Sequence, residues 1–136
     1  MAKSYLSIGT NLGNREKNLR DAIYNIGESA GTILRTSSFI ETAPWGFASD
    51  NAFLNAVVLI ETTLSPLDLL HATQKIEQTM GRTQKSVNGI YHDRIIDIDI
   101  LTYDDVHIST PELTLPHPLM HERDFVMIPL NEILQN

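Results

Sequence analysis

The sequence of 136 residues contains no cysteine. Disulfide frameworks, zinc–thiolate sites and thiol nucleophiles are therefore excluded. The absence of cysteine fits a reducing compartment, and we expect a cytoplasmic protein. No apolar run reaches the roughly 18 residues that a membrane span requires. Residues 1–4 lead directly into a strand pattern, so we expect neither a signal peptide nor a membrane partner.

Positive charge is also scarce, since 10 lysine and arginine residues stand against 17 aspartate and glutamate residues, for a formal net charge of −7. This balance argues against nucleic acid as a partner. The basic residues beyond Lys75 are Arg82, Lys85, Arg94 and Arg123. Most of them flank an acidic pair, which favours an anionic substrate such as a nucleoside triphosphate. Solvated surface charge is the alternative for each of them.

The acidic pair lies in the segment Arg94-Ile95-Ile96-Asp97-Ile98-Asp99-Ile100-Leu101. A strand has period two, so Asp97 and Asp99 project from one face, roughly 7 Å apart along the backbone. Two like charges on a buried strand are unfavourable unless a positive group lies between them. Hard oxygen ligands suit magnesium, so the pair predicts a Mg²⁺ site.

The sequence has no internal repeat or linker, and we predict a single domain over residues 1–136. Apolar periodicities and capping residues predict the order β-α-β-β-α-β, with strands at Lys3–Ile8, Thr32–Thr42, Phe53–Thr62 and Ile95–Tyr103 and helices after Asn14 and Ser65. A short strand at Val106–Ile108 and a helix at about 124–134, interrupted or begun late by Pro129, complete the prediction. This order predicts an α+β, ferredoxin-like sandwich: an antiparallel sheet with both helices on one face, plus short C-terminal elements. The segments 43–51 and 82–93 are predicted to be lids.

Two further clusters carry polar or aromatic groups. Phe53 and Asn55 share a strand face, where a flat heterocycle could stack on the ring and pair with the amide. A core aromatic with a structural asparagine is the alternative. His117 lies between two prolines on a stiff segment that leads to Arg123 and Phe125. A lone histidine is more often structural than functional.

These segments together resemble one family, the 6-hydroxymethyl-7,8-dihydropterin pyrophosphokinases of folate biosynthesis. The similarity is carried by blocks in the family's order: Tyr5-Leu6-Ser7-Ile8-Gly9-Thr10-Asn11-Leu12-Gly13, Glu41-Thr42-Ala43-Pro44-Trp45-Gly46, Phe53-Leu54-Asn55-Ala56, Ile76-Glu77 with Gly81-Arg82, the acidic strand, and Leu115-Pro116-His117-Pro118 with Arg123-Asp124-Phe125. The resemblance implies a diphosphokinase that transfers the ATP diphosphate to the hydroxymethyl group of a reduced pterin, releases AMP and uses two Mg²⁺ ions. We expect it to act as a monomer.

The resemblance also implies roles for individual residues. Arg82, Arg94 and Asp97 would be catalytic, and Asp97 and Asp99 would hold the metal. The pterin would be bound by Thr42, Ala43, Trp45, Phe53, Asn55 and Phe125. ATP would be bound by Leu70, Arg82, Lys85, Tyr91, Arg94, Ile100, Thr114, His117, Pro118 and Arg123.

The chain departs from the family pattern beside the catalytic arginine. Tyr91-His92-Asp93 replaces a frequent Trp-Gly-Pro run, and Asp93 adds negative charge near the phosphates. Gln84 and Glu112 stand where many members carry a basic residue. These changes concern contacts of the 82–94 loop and leave the expected reaction unchanged.

Two other functions are open on the residues alone. One is a different nucleotidyl or phosphoryl transferase that uses the Asp-x-Asp pair for metal, and pterin competition would separate it from the first. The other is a regulatory ligand-binding module on the same fold. That module explains the aromatic pocket but leaves the acidic pair and its neighbouring cations without a purpose.

Overall fold

The computed structural model describes residues 1–42, 52–81 and 95–134. In chain order these ranges contain β1 (Ala2–Thr10), α1 (Arg15–Ser29), β2 (Thr32–Thr36), β3 (Ile40–Thr42), β4 (Phe53–Thr62), α2 (Pro66–Thr79), β5 (Asp97–Tyr103), β6 (Ile108–Ser109), β7 (Thr114–Leu115), a short 3-10 helix (Met120–Glu122) and α3 (Asp124–Ile133). Within them, no helix combines the length and the hydrophobicity needed to span a membrane.

The main sheet has the strand order β2-β4-β1-β5, and β3 also pairs with β4. Every pairing is antiparallel. The central pair β1 and β4 is in register from Ala2 opposite Thr62 to Thr10 opposite Leu54. This arrangement confirms the predicted ferredoxin-like α+β fold. The strands β6 and β7 form a separate hairpin.

The first two helices begin where their sequences place a capping side chain. Asn14 accepts a hydrogen bond from the Lys17 backbone N–H at 3.1 Å, and Ser65 accepts one from Asp68 at 3.2 Å. Such caps typically contribute about 1 kcal/mol each. Pro66 occupies the first turn of α2, where no intrahelical N–H is required. Both predicted helix starts are confirmed.

The strand β4 is apolar on both faces, so both faces of the sheet need cover. Ala56, Val58 and Ile60 belong to the core cluster that includes the buried residues of α1 and α2. Val57 and Leu59 belong to a second cluster on the opposite face, built with α3. The helices α1 and α2 therefore form the layer that the sequence predicts. The C-terminal helix α3 covers the other side, and this second side carries the candidate site.

Three local predictions are corrected. The strand predicted at 32–42 is divided into β2 and β3, because Ser38 bonds through its N–H and hydroxyl to the Glu132 carboxylate on α3. The return strand predicted at 106–108 lies at Ile108–Ser109 and pairs with β7. Pro129 does not interrupt α3, since the helix continues past it and buries it in the apolar stripe.

Candidate active site

The acidic pair lies on the α3 side of the sheet. Asp97 is opposite Gly9 of β1, and Asp99 is opposite Ser7. The alternate residues Ile98 and Ile100 point into the core under α1 and α2. Asp97 and Asp99 are half-buried and share the face that the period-two pattern predicts.

Asp97, Gly9 and Asn55 lie side by side on the neighbouring strands β5, β1 and β4, and we call these three residues the cross-strand row. Gly9 is the neighbour of Asp97 on one side and of Asn55 on the other. Directly opposed residues of an antiparallel sheet project to the same side, so Asp97 and Asn55 share this face at about 10 Å, two strand spacings. Asn55 is 2% exposed, and its Nδ2 donates to Thr42 Oγ1 at 2.8 Å. The Thr42 bond fixes the orientation of the amide.

Gly9, in the middle of this row, has no side chain that would fill the space beside Asn55. A Cβ built on Gly9 would lie 2.7 Å from Asn55 Oδ1 and 3.5 Å from Phe53 Cδ1. The absence of a side chain therefore lets the amide and the ring occupy the space between the acid pair and β4. The Asn55 Oδ1 and the Phe53 ring both face the glycine, which places them together at the β4 end of this row.

We expect Gly9→Ala to raise about tenfold the KM for the pterin that the sequence resemblance implies, because the new methyl group displaces the Asn55 amide and a lost hydrogen bond costs about 1–2 kcal/mol. Steady-state kinetics with the pterin varied at saturating ATP measure the effect. Gly27→Ala in α1 is the matched control, since its Cβ would meet Ile33 at 3.6 Å, an ordinary contact. That control should stabilise the helix by about 0.5–1 kcal/mol without changing KM. Equal KM values for both variants would contradict the role of Gly9.

Aromatic rings reach this face from two elements. Phe53 opens β4 opposite Thr42, and Phe125 lies in the first turn of α3, packed against the cluster on this side of the sheet. The site thus has one ring from the sheet and one from the helix that covers it. Flat ligands bind well between such apolar surfaces.

Arg123 connects the aromatic and acidic parts of the site. Its Nη1 lies 3.9 Å from Asp99 Oδ2, and its Cζ lies 5.6 Å from the centroid of the Phe125 ring. The side chain is 13% exposed. This 3.9 Å separation is longer than a hydrogen bond, so the guanidinium interacts with the Asp99 carboxylate mainly by Coulomb attraction. An anion bound beside Asp99 would meet this charge.

His117 is held against the end of β5. Tyr5 and Leu6 of β1 pair with Thr102 and Ile100 of β5, so Leu101 is an extra, unpaired position in the β1–β5 register. The Leu101 carbonyl accepts the His117 backbone N–H at 2.9 Å. The imidazole Nδ1 accepts the Leu119 N–H at 3.3 Å, so the neutral ring carries its proton on Nε2. Burial, and next the Arg123 charge, lower the pKa of His117, while Asp97 acts in the opposite direction.

We expect His117 to titrate below the ordinary histidine value of about 6.5. Because Arg123 lowers the pKa and Asp97 raises it, Arg123→Ala should move the pKa up and Asp97→Asn should move it down. Imidazole ¹H shifts followed by NMR against pH measure all three values. The unfolded chain binds the proton more readily, so His117 reduces stability as pH falls below about 6.5. A pKa above 6.5 in the unaltered protein would contradict this assignment.

The structure does not gather every residue that the resemblance implies. Ile100 is buried in the core on the opposite face, and Leu70 packs against that same core. Thr114 and Pro118 are exposed, near the His117 segment. Some of the implied residues lie outside the described residues: Ala43, Trp45, Arg82, Lys85, Tyr91 and Arg94. The two predicted lids lie there as well.

A metal would have to be held here by few protein ligands. In the ranges 1–42, 52–81 and 95–134, no group of three or more histidine or acidic side chains is arranged around a common ion position. Mg²⁺ is commonly bound by one or two carboxylates together with substrate phosphates and water. The half-buried carboxylates of Asp97 and Asp99 fit that donor set.

Three residues of the site region were not among the predicted site residues. Gly9 and Ser7 are the cross-strand neighbours of the acidic pair. They belong to the first of the family-like sequence blocks, but no local pattern places them beside Asp97 and Asp99. Glu77 of α2 is 7% exposed. The sequence did carry a signal for Glu77, because this acidic residue lies eight positions after Leu69, on the apolar stripe of the predicted helix.

Comparison with known proteins supplies the class. The fold matches the Plasmodium falciparum HPPK-DHPS crystal structure with a TM-score of 0.77, covering 98% of this chain and 40% of that one. At 18% identity this match shows the fold alone. Two relatives carry the name 2-amino-4-hydroxy-6-hydroxymethyldihydropteridine pyrophosphokinase. The protein from Porphyromonas gingivalis is 52% identical to this chain, and the match covers 98% of this chain and 91% of the relative. The protein from Bacillus subtilis is 42% identical, and the match covers 97% of this chain and 78% of the relative.

These relatives define the class of the protein as a kinase-type transferase. The family can be stated more closely, because the model described as 7,8-dihydro-6-hydroxymethylpterin-pyrophosphokinase (HPPK) matches residues 5–135. The chain belongs to this family of folate-pathway enzymes, as its sequence blocks predict.

Proposed function

We propose that this chain transfers the terminal diphosphate of ATP to the hydroxymethyl group of 6-hydroxymethyl-7,8-dihydropterin, with Mg²⁺, and releases AMP. Family membership supports the reaction type. The observation that carries the proposal is the row Asp97, Gly9 and Asn55 across three strands, which joins an acid pair to a ring-reading amide.

The pterin occupies the β4 end of the row. Its ring lies between Phe53 and Phe125, which project over the same sheet face from β4 and α3. Asn55 presents Oδ1 toward the row while Thr42 holds Nδ2, so the amide oxygen accepts from a ring N–H. Because Asn55 is 2% exposed, a mismatched ring is costly, since it would leave the buried Asn55 oxygen without its hydrogen bond.

The triphosphate occupies the β5 end. Asp97 and Asp99 would hold Mg²⁺, which when bound neutralises charge on the phosphate oxygens. Arg123 adds a positive charge beside Asp99, and the Nε2–H of neutral His117 donates to a phosphate oxygen. Arg82, Lys85, Tyr91 and Arg94 complete the nucleotide contacts in the proposal.

The reaction is an in-line substitution. The pterin hydroxyl oxygen forms a bond to the β-phosphorus as the bond from that phosphorus to the α–β bridging oxygen breaks. AMP leaves, and the hydroxyl proton passes to Asp97 or to a water that Asp97 orients. Positioning and electrostatic stabilisation supply most of the rate in this chemistry. The cross-strand row serves both, since it fixes the acceptor and the anion on one rigid sheet.

Product analysis tests the proposal. The protein is incubated with ATP, Mg²⁺ and the hydroxymethyl pterin, and the nucleotides are separated by chromatography. AMP that forms only when pterin is present supports the proposal. ADP as the product would favour a phosphoryl transferase, and pterin binding without magnesium-dependent ATP binding would favour a regulatory module.

A further inference from the structure

A buried carboxylate approaches the acidic strand from the helical layer. Glu77 lies on the inner stripe of α2 with Leu69, Thr73 and Ile76, and it is 7% exposed. Its Oε2 accepts the backbone N–H of Ile98 at 2.8 Å. Burying a carboxylate is costly unless it is hydrogen-bonded, so this contact compensates a substantial desolvation penalty.

The position of that N–H gives the contact its importance. Ile98 stands between Asp97 and Asp99, and among the strands that the structure describes β5 is at one edge of the sheet. An edge strand presents every second N–H away from its neighbour, with no ladder to hold it. Glu77 supplies the acceptor there, through its Oε2 at 2.8 Å.

We propose that Glu77 is a positioning residue for the acid pair. The Ile98 N–H belongs to the peptide plane that joins Asp97 to Ile98, and the next plane joins Ile98 to Asp99. A rotation of this amide therefore turns the Asp97 side chain directly and shifts the Asp99 side chain through the Ile98 Cα. By holding that amide, Glu77 sets their separation and direction for a divalent cation. This inference rests on the proposed function, since it requires Asp97 and Asp99 to bind Mg²⁺.

The test compares four variants for divalent-cation binding in the presence of a nonhydrolysable ATP analogue, without turnover. Mn²⁺ as a spectroscopic probe and Mg²⁺ by competition give the dissociation constants, and thermal melts give Tm. Glu77→Ala and Glu77→Asp should weaken the cation by about 10–100-fold, the usual effect of losing a group that orients a metal ligand. Glu77→Gln keeps an accepting oxygen at the same reach and should stay within about threefold.

Thr73→Ala is the matched control. Thr73 is buried on the same stripe, but its hydroxyl bonds within α2 to the Leu70 carbonyl at 2.8 Å. It should lower Tm and leave cation binding unchanged. An Ile98 amide proton that shifts upfield in Glu77→Asp, measured by ¹⁵N-resolved NMR, would show the contact itself.

Each outcome is decisive. If Glu77→Asp and Glu77→Gln bind the cation equally well, the positioning role is wrong, even where Glu77→Ala fails to fold. If Glu77→Ala folds and loses only Tm, as Thr73→Ala does, Glu77 is merely structural. If the unaltered protein binds no cation with the nucleotide analogue, both the proposed function and this inference fail. If the unaltered protein binds the cation and the Glu77 variants bind it equally well, the inference fails while the proposed function stands.

Discussion

Asp97→Asn should lower kcat/KM by about a thousandfold, equivalent to roughly 4 kcal/mol of transition-state stabilisation. The amide keeps the size of the side chain and one oxygen, but it removes one of the charges of the predicted metal pair. Initial rates of AMP formation against Mg²⁺ concentration measure the loss and show whether excess metal restores activity. Asp99→Asn should behave alike, since both carboxylates share the α3 face of β5.

The stability of the Asp97→Asn variant should not fall with its activity. Without metal, two half-buried like charges on one strand face repel each other, so removal of one should leave Tm unchanged or raise it. Asp105→Asn is the control, because it removes the same charge at an exposed turn just beyond β5. Near-normal turnover in Asp97→Asn, with Asp105→Asn unchanged, would show that the metal assignment is wrong.

Arg123→Ala is expected to reduce kcat/KM by about a hundredfold, within the range for loss of one preorganised charge at a reacting centre. The guanidinium lies 3.9 Å from Asp99 and over the Phe125 ring, so its removal affects both the anion and the aromatic end of the site. Arg123→Lys should recover only part of the loss, because an ammonium neither stacks on the ring nor presents a planar pair of donors. Separate titrations of ATP and pterin would divide the effect between the two substrates.

Arg20→Ala provides the comparison for Arg123. Arg20 is an exposed arginine on α1 that pairs with Glu16 one helical turn away, in the layer opposite the site. Exposed pairs of this type contribute about 0.3–0.5 kcal/mol, so the variant should retain full activity. Activity of Arg123→Ala within threefold of that control would remove Arg123 from the site.

Much of the fold follows from local patterns. The predicted strand at residues 53–62 matches β4, since its apolar run is bounded by a turn-rich segment and by the Ser65-Pro66 helix start. The caps at Asn14 and Ser65 act within three residues of themselves. The strand predicted at 32–42 was wrong in its middle because its competitor, Glu132, is distant in sequence.

The sequence by itself determined the element order, the helix starts, the common face of Asp97 and Asp99 and, through its blocks, the family. Each of these depends on residues a few positions apart or on the order of motifs along the chain. Only the tertiary structure decided that Gly9 lies between Asp97 and Asn55, that α3 covers the site face, and that Glu77 holds the Ile98 amide. Cross-strand register and helix docking are set when the whole apolar surface is buried at once, so no local window of the sequence specifies them.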